Sequence, residues 1–309
     1  MILENFLAPN GRTWQEGHDV TLATHCTSNN LHYLPQLSKR WQGPVSAAVF
    51  TYDEDFLYTL SAILHLRFCY PSVSKYVTFH LSYPKCCAPV NPSSLLHVAQ
   101  RRFTCSEEPK ADANQYVPNH QIGNGTEYPI NMLRSLSVKM AVTSHVFPVD
   151  VDVVPSGKLR ASFIQHENKF PRNITDNSSS AKLAYIVPVF EIQRGVAIPW
   201  SKPALLEAWA RRYVRPFQWT QCFSRCEWPT DYKRWMALPQ SEELQAAYVV
   251  SYQPRYEPFY IAERSSLPLF DERFKQFGAN RFSQVGHLAG VGIQGEWSFC
   301  SFFLHFSVH

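Results

Sequence analysis

No stretch of this 309-residue chain reaches the ~18 consecutive apolar residues that a membrane-spanning helix needs. Its opening residues, Met1-Ile-Leu-Glu-Asn-Phe-Leu-Ala-Pro, lack the sustained apolar core of a signal peptide. No run of Lys or Arg stands out, and a net charge of +4 is small for the length. Both argue against nucleic acid as a partner and give mild support for an acidic one. The eight cysteines form neither a Cys-x-x-Cys pair nor a zinc spacing, so disulfides are permitted but not demanded. There is no internal repeat and no low-complexity tract. What remains is the composition of a globular protein rich in Phe, Tyr, Trp and Pro, with 45% apolar and 17% charged residues.

Strand-like and helix-like segments alternate. Val20–Thr24, Pro44–Phe50 and Tyr76–Leu81 read as apolar strands, with helices expected over Leu31–Trp41 and from Asp53 to Cys69. That rhythm predicts a βαβ architecture with a mainly parallel sheet flanked by helices. Residues 1–18 read as an irregular linker or stem remnant, with one domain over 19–309. Residues 83–128 break the rhythm, with one short helix expected near Leu95–Arg102. A helix is expected again over Ile130–Val142, then helices over Arg160–Ile164 and Lys202–Tyr213. Strands are expected over Ala184–Ile192, Tyr248–Tyr252 and Phe259–Ala262. Pro188 argues against a central, fully bonded position within the first of these. Three Asn-x-Ser/Thr sequons, at Asn124, Asn173 and Asn177, lean toward a secretory lumen.

The organising stretch is Val146-Phe-Pro-Val-Asp-Val-Asp-Val-Val-Pro155. An apolar, β-branched run carries Asp150 and Asp152 and stops at a proline. In an extended segment, residues i and i+2 point the same way, roughly 6–7 Å apart. Both carboxylates can then converge on one hard cation. The alternative is a pair of solvated turn aspartates. Asp-x-Asp after an apolar strand serves two chemistries. One is sugar transfer from nucleotide donors, where a divalent ion neutralises the departing diphosphate. The other is aspartyl-phosphate hydrolysis, where the first aspartate is a nucleophile. Phosphatases of that kind carry the motif near the chain start, whereas here three strands precede it.

Further candidates stand around it. Glu257, Asp271 and Glu272 lie among aromatics in Tyr256-Glu-Pro-Phe-Tyr and Leu267-Pro-Leu-Phe-Asp-Glu-Arg-Phe, a composition suited to a sugar-binding wall, and are the natural general-base candidates. A plain helix start with a local ion pair reads equally well there. Arg134 is placed to meet a diphosphate with its guanidinium fork, or else lies on a solvated helix face. His305 offers an imidazole as a third ligand for Mn²⁺ or a similar ion. His145 reads as structural.

Several of these segments resemble glycosyltransferase family 49, the family of the β-1,4-glucuronyltransferase and of the glucuronyltransferase domain of the LARGE enzymes. They are Thr21-Leu-Ala-Thr-His-Cys-Thr, Leu34-Pro-Gln-Leu-Ser-Lys-Arg-Trp-Gln-Gly-Pro-Val-Ser-Ala-Ala-Val-Phe, Tyr128-Pro-Ile-Asn-Met-Leu-Arg and Val149-Asp-Val-Asp-Val-Val-Pro-Ser. Tyr256-Glu-Pro-Phe-Tyr and Pro268-Leu-Phe-Asp-Glu-Arg-Phe with Gly278-Ala-Asn-Arg complete the set. The resemblance implies a GT-A fold, Mn²⁺, UDP-glucuronic acid as donor and inverting transfer to a glycan such as one ending in xylose. It also implies a type II membrane protein of the Golgi lumen, although the family's anchor is missing here, and it is compatible with a dimer. Carried over by position, Asp150, Asp152 and His305 would hold the metal, and Arg134 with the aspartates would hold the donor. The family's cysteine region suggests a Cys222–Cys226 bridge. Gly278-Ala-Asn280 falls where inverting enzymes often place a carboxylate base, and an amide cannot take a proton. Asp271 and Glu257 are therefore the expected bases, with Asn280 and Glu272 contacting the acceptor. Gly290–His309 reads as a divergent tail; if it spoiled the metal site, the chain would be a glycan-binding pseudoenzyme.

Overall fold

Strands β1 (Ile2–Leu7), β2 (Val20–Thr27), β3 (Val45–Phe50) and β4 (Val77–Ser82) open the chain, interleaved with helices α1 (Leu34–Trp41), α2 (Phe56–Cys69) and α3 (Pro71–Tyr76). The computed structural model describes residues 1–11, 14, 19–51, 55–84, 103–105, 127–169, 182–220, 222, 226–239, 244, 248–276, 278, 280–294, 296–297 and 303–306. The helix expected near Leu95–Arg102 and the three sequons lie outside these residues. Next come α4 (Ile130–Lys139), β5 (His145–Pro148), β6 (Val153–Pro155), α5 (Leu159–Lys169), β7 (Lys182–Val187) and β8 (Val189–Ile192). The remaining elements are α6 (Lys202–Ala210), β9 (Val214–Pro216), α7 (Tyr232–Ala237), β10 (Tyr248–Val249), β11 (Phe259–Glu263), α8 (Asn280–Gly290), β12 (Ile293–Gln294), β13 (Glu296–Trp297) and β14 (Phe303–Phe306).

The main sheet runs β1-β4-β3-β2-β5-β11-β7-β12. β4, β3, β2 and β5 are mutually parallel, and β11 lies antiparallel between β5 and β7. Every residue of β3, and all of β2 but Thr27, is buried, as parallel strands covered on both faces must be. Apolar side chains therefore run without a break through Val45, Ala47 and Val49 against Trp41 and Ile63. A smaller sheet, β6-β14-β8-β9, packs its own core of Phe190, Leu205, Tyr232 and Trp235.

Four local expectations are corrected. Ile2–Leu7 is not irregular: it pairs antiparallel with β4, with a register shift between Leu3 and Leu7. Asn5, at φ +50° in that shift, donates its amide to His80 Nδ1 at 2.9 Å, and Asn tolerates this left-handed conformation better than most residues. Ser28–Tyr33 is a 3₁₀ helix, so Leu31–Tyr33, expected as the first turn of α1, precede it. The helix from Ile130 ends at Lys139, short of Val142. The long strand expected over Ala184–Ile192 is two strands in different sheets, β7 and β8, broken at Pro188, which supplies no amide for a ladder. Two disulfides join Cys69 to Cys105 and Cys222 to Cys226; the first was not foreseen.

Candidate functional site

The parallel strands carry their carboxyl ends to one edge, and Asp150 lies two residues beyond the end of β5. The aspartates are not extended. Val153 N donates to Asp150 O at 3.0 Å, closing a turn that holds Asp150 and Asp152 between β5 and β6. The alternating geometry expected of a strand therefore does not apply, because the chain must reverse here to enter the smaller sheet.

Three cationic or ionisable groups from separate elements converge on Asp150. Arg134 Nη2, from α4, donates to Oδ1 at 2.9 Å. His25 Nε2, from β2, lies 3.3 Å from the same oxygen, its Nδ1 being 2.8 Å from Tyr128 Oη. Arg281 Nη2, from the first turn of α8, donates to Oδ2. Burial alone pushes the Asp150 carboxyl up, but Arg281 and then Arg134, with the hydrogen bond and charge of His25, hold it well below the usual carboxylate range. Asp150 is thus a fixed anion in the wall of a small cavity of about 10 Å³ lined by Arg134, Pro258, Tyr260, Phe270 and Arg281. Arg281 lies over the Phe259 ring, 3.8 Å from its centroid.

Asp152 is half-buried in the same turn. β14 returns the chain beside it: His305 pairs with Val153 on one side and with Glu191 on the other. The backbone thus sets His305 one register position from Asp152. Carboxylate oxygens and an imidazole are donor types that suit Mn²⁺ or Mg²⁺. Among the described residues, no three His, Cys, Asp or Glu side chains cluster as a ready metal cage. Asp150 Oδ1 already meets Arg134 and His25, while Oδ2 accepts from Arg281 and keeps a second lone pair that could meet a cation.

The remaining candidates separate. Asp271 does not line the Asp150 pocket; it borders another cavity with Leu269, Arg273, Ser283 and His287. Its carboxylate is gripped by Arg273, through Nε at 2.9 Å and Nη2 at 2.6 Å, which lowers its pKa to about 2 and makes it a weak base. Glu272 is exposed beside it. Asn280 is buried and donates to Gln276 O at 3.2 Å. Glu257 is half-buried and precedes pocket-lining Pro258; its amide donates to Cys226 O at 3.0 Å, next to the Cys222–Cys226 bridge. His145 is structural, edge-on to Phe163 and 3.7 Å from Glu167.

Three residues escaped the sequence reading: His25, Arg281 and Glu227. The first two stand inside segments that carry the family resemblance, which was their only signal. Glu227 had none. It is buried, with Oε2 3.1 Å from Tyr232 Oη, which itself donates to Val189 O at 2.8 Å. One hydroxyl proton serves one acceptor, so that contact is best met by a protonated Glu227. Burial pushes its carboxyl well above the usual range despite the opposing charge of Arg281.

A buried sheet that presents an Asp-x-Asp turn and convergent arginines at its carboxyl edge is the arrangement of a GT-A-type glycosyltransferase. The sequence comparisons agree. The chain belongs to the family described as glycosyl-transferase for dystroglycan, which it matches over residues 19–309, a span that includes Gly290–His309. It is 36% identical to the beta-1,4-glucuronyltransferase 1 of Bos taurus over 295 residues, covering 92% of this chain and 67% of that one. It is 29% identical to the xylosyl- and glucuronyltransferase LARGE2 of Mus musculus over 302 residues, covering 94% of this chain and 34% of that one. A solved structure of GalNAc-T7 with UDP, GalNAc and Mn²⁺ superposes with a TM-score of 0.46 at 10% identity, covering 94% of this chain and 44% of that one. The chain thus spans about two thirds of the glucuronyltransferase it matches. Among the described residues no helix is long and apolar enough to cross a membrane.

Proposed function

We propose that this glycosyltransferase transfers glucuronic acid from UDP-glucuronic acid to a hydroxyl of a glycan acceptor, such as one ending in xylose, with inversion, in the Golgi lumen. The observation that carries the reading is Asp150, fixed as an anion at the sheet edge by Arg134, Arg281 and His25 inside a pocket. Membership of a family whose relatives are named as glucuronyltransferases supports the donor class.

Asp150, Asp152 and His305 are the residues that would hold a divalent ion, Mn²⁺ in this reading. When bound, such an ion supplies a positive charge beside the departing diphosphate. Arg134 meets the donor's anionic part from α4, its own position secured by Asp150. The acceptor hydroxyl gives its proton to Glu257, which adjoins pocket-lining Pro258 and, among the described residues, lacks an arginine clamp like the one that holds Asp271. Asn280 and Glu272 contact the acceptor.

The test is UDP release by the purified chain from UDP-glucuronic acid with Mn²⁺ and a β-xyloside. Acceptor-dependent release should fall at least about 100-fold in Asp150→Asn/Asp152→Asn, the scale of losing a charge-stabilising group. Wild type that neither releases UDP nor binds it in a Mn²⁺-dependent way would overturn the reading.

A further inference from the structure

Arg134 and Arg281 both face Asp150, but their guanidinia are used differently. Arg134 gives Nη2 to Asp150, and its Nη1 reaches Asn131 Oδ1 at 3.5 Å. Arg281 gives Nη2 to Asp150, while its Nη1 is shielded from solvent and has no hydrogen-bond partner among the described residues. A buried, charged donor left unmade is costly, so this nitrogen marks a place where an acceptor is wanted.

Among the described residues, no acid fills that place. Asp150 is one carboxylate between two guanidinia. Among the described residues Glu227 also feels the charge of Arg281, but its burial pushes its carboxyl well above the usual range and so disfavours the anion. Its Oε1 is likewise buried without a partner among the described residues. This part of the wall therefore carries a surplus positive charge, placed in the first turn of α8, where the helix dipole also favours an anion.

The shape of the opening restricts which anion fits. One face of the guanidinium is covered by Phe259 at 3.8 Å, and the side chain is only 12% exposed. Approach is therefore confined to the plane and edge of the group. Two coplanar carboxylate oxygens match that edge, and a neutral hydroxymethyl group would leave the charge unanswered.

We propose that Arg281 is the residue that selects the donor, its guanidinium edge receiving a carboxylate carried on the transferred sugar. This rests on the nucleotide-sugar reading of the site. It assigns Arg134 to the nucleotide side and Arg281 to the sugar side of one pocket, with Phe259 and Asp150 holding Arg281 in place.

The experiment measures affinity for UDP, UDP-glucuronate and UDP-glucose by calorimetry, with Mn²⁺ present, for wild type, Arg281→Met and Arg281→Lys. Circular dichroism and thermal melting run alongside as folding controls. Expected is a folded Arg281→Met that loses at least about 10-fold more affinity for UDP-glucuronate than for UDP or UDP-glucose. Losses of that size follow when a built polar contact goes unmade. Arg281→Lys, which keeps the charge without the fork, should retain an intermediate preference, and it carries the test if the Met variant does not fold. An unchanged preference in either folded variant overturns the proposal. So does an equal loss of UDP itself, which would place Arg281 on the diphosphate. Wild type that binds no UDP fails earlier: it removes the underlying reading and the proposal with it.

Discussion

Arg281 Nη2 donates to Asp150 Oδ2 across 131 positions of chain, while Arg134 and His25 hold the other oxygen. The site is thus a tertiary knot tying α4, α8, β2 and the turn after β5.

Removing its centre leaves two nearly buried guanidinia without their counter-charge. Asp150→Ala should cost on the order of 2 kcal/mol, below the value for a fully buried pair because the aspartate side chain is 27% exposed. The folded pKa of Asp150 is depressed, so its contribution is present above the ordinary carboxylate value of ~4 and is lost as pH falls through the folded value. Urea midpoints should accordingly show the full penalty at pH 6 and a shrinking one below pH ~4.

His80 sets a second pH dependence. It is fully buried, accepts from Asn5 N at Nδ1, and so donates from Nε2 to Ser46 Oγ at 3.0 Å. That neutral tautomer ties edge strand β1 to β4 and β3. Burial lowers its pKa to about 4, against ~6.5 for the unfolded chain. Between these values the unfolded state binds more protons, so stability falls as the medium is acidified, by up to ~3 kcal/mol. Urea titrations from pH 7.5 to 4.5 should show this slope, and His80→Asn should flatten it.

Glu227 predicts the opposite sign. Its folded pKa is raised, so the folded state binds the extra proton and Glu227 weakens the fold as pH rises above the ordinary value. Glu227→Gln should match wild type near pH 4 and equal or exceed it at pH 8 in the same titration. A Gln variant markedly weaker at pH 8 would mean that an ionised Glu227 pairs with Arg281.

Tyr128 orients His25 through their 2.8 Å contact. Tyr128→Phe should cost ~1 kcal/mol, the ordinary net value of such a bond. It should also broaden the tautomer signature of His25 in nitrogen NMR without unfolding the sheet.

The parallel strands were legible in two ways: Val45–Phe50 is a run of small and apolar residues, and Val77–Ser82 alternates Val, Phe and Leu with Thr, His and Ser. The aspartate turn was legible in position, since charges in a β-branched run are rare, but not in shape. Only the 3.0 Å bond from Val153 N to Asp150 O shows that the chain reverses there. Ile2–Leu7 was missed because an edge strand bonded on one side and largely exposed leaves little apolar pattern. Arg281 and Glu227 gain their character from burial beside residues far away in sequence, and no local spacing records that. At Asp271 the local alternative was legible: its carboxylate meets Arg273, two residues on, as the helix-start ion pair allowed.

Strand β14 sits between β6 and β8, antiparallel to one and parallel to the other. Its two neighbours are synthesised long before it. During translation the aspartate turn must therefore wait beside an unfilled slot, with the edges of β6 and β8 open to other strands. Completion of this small sheet therefore waits for Phe303–Phe306, and a chain lacking that strand leaves its catalytic edge unfinished. Such a chain offers the quality-control machinery a bare strand gap to recognise.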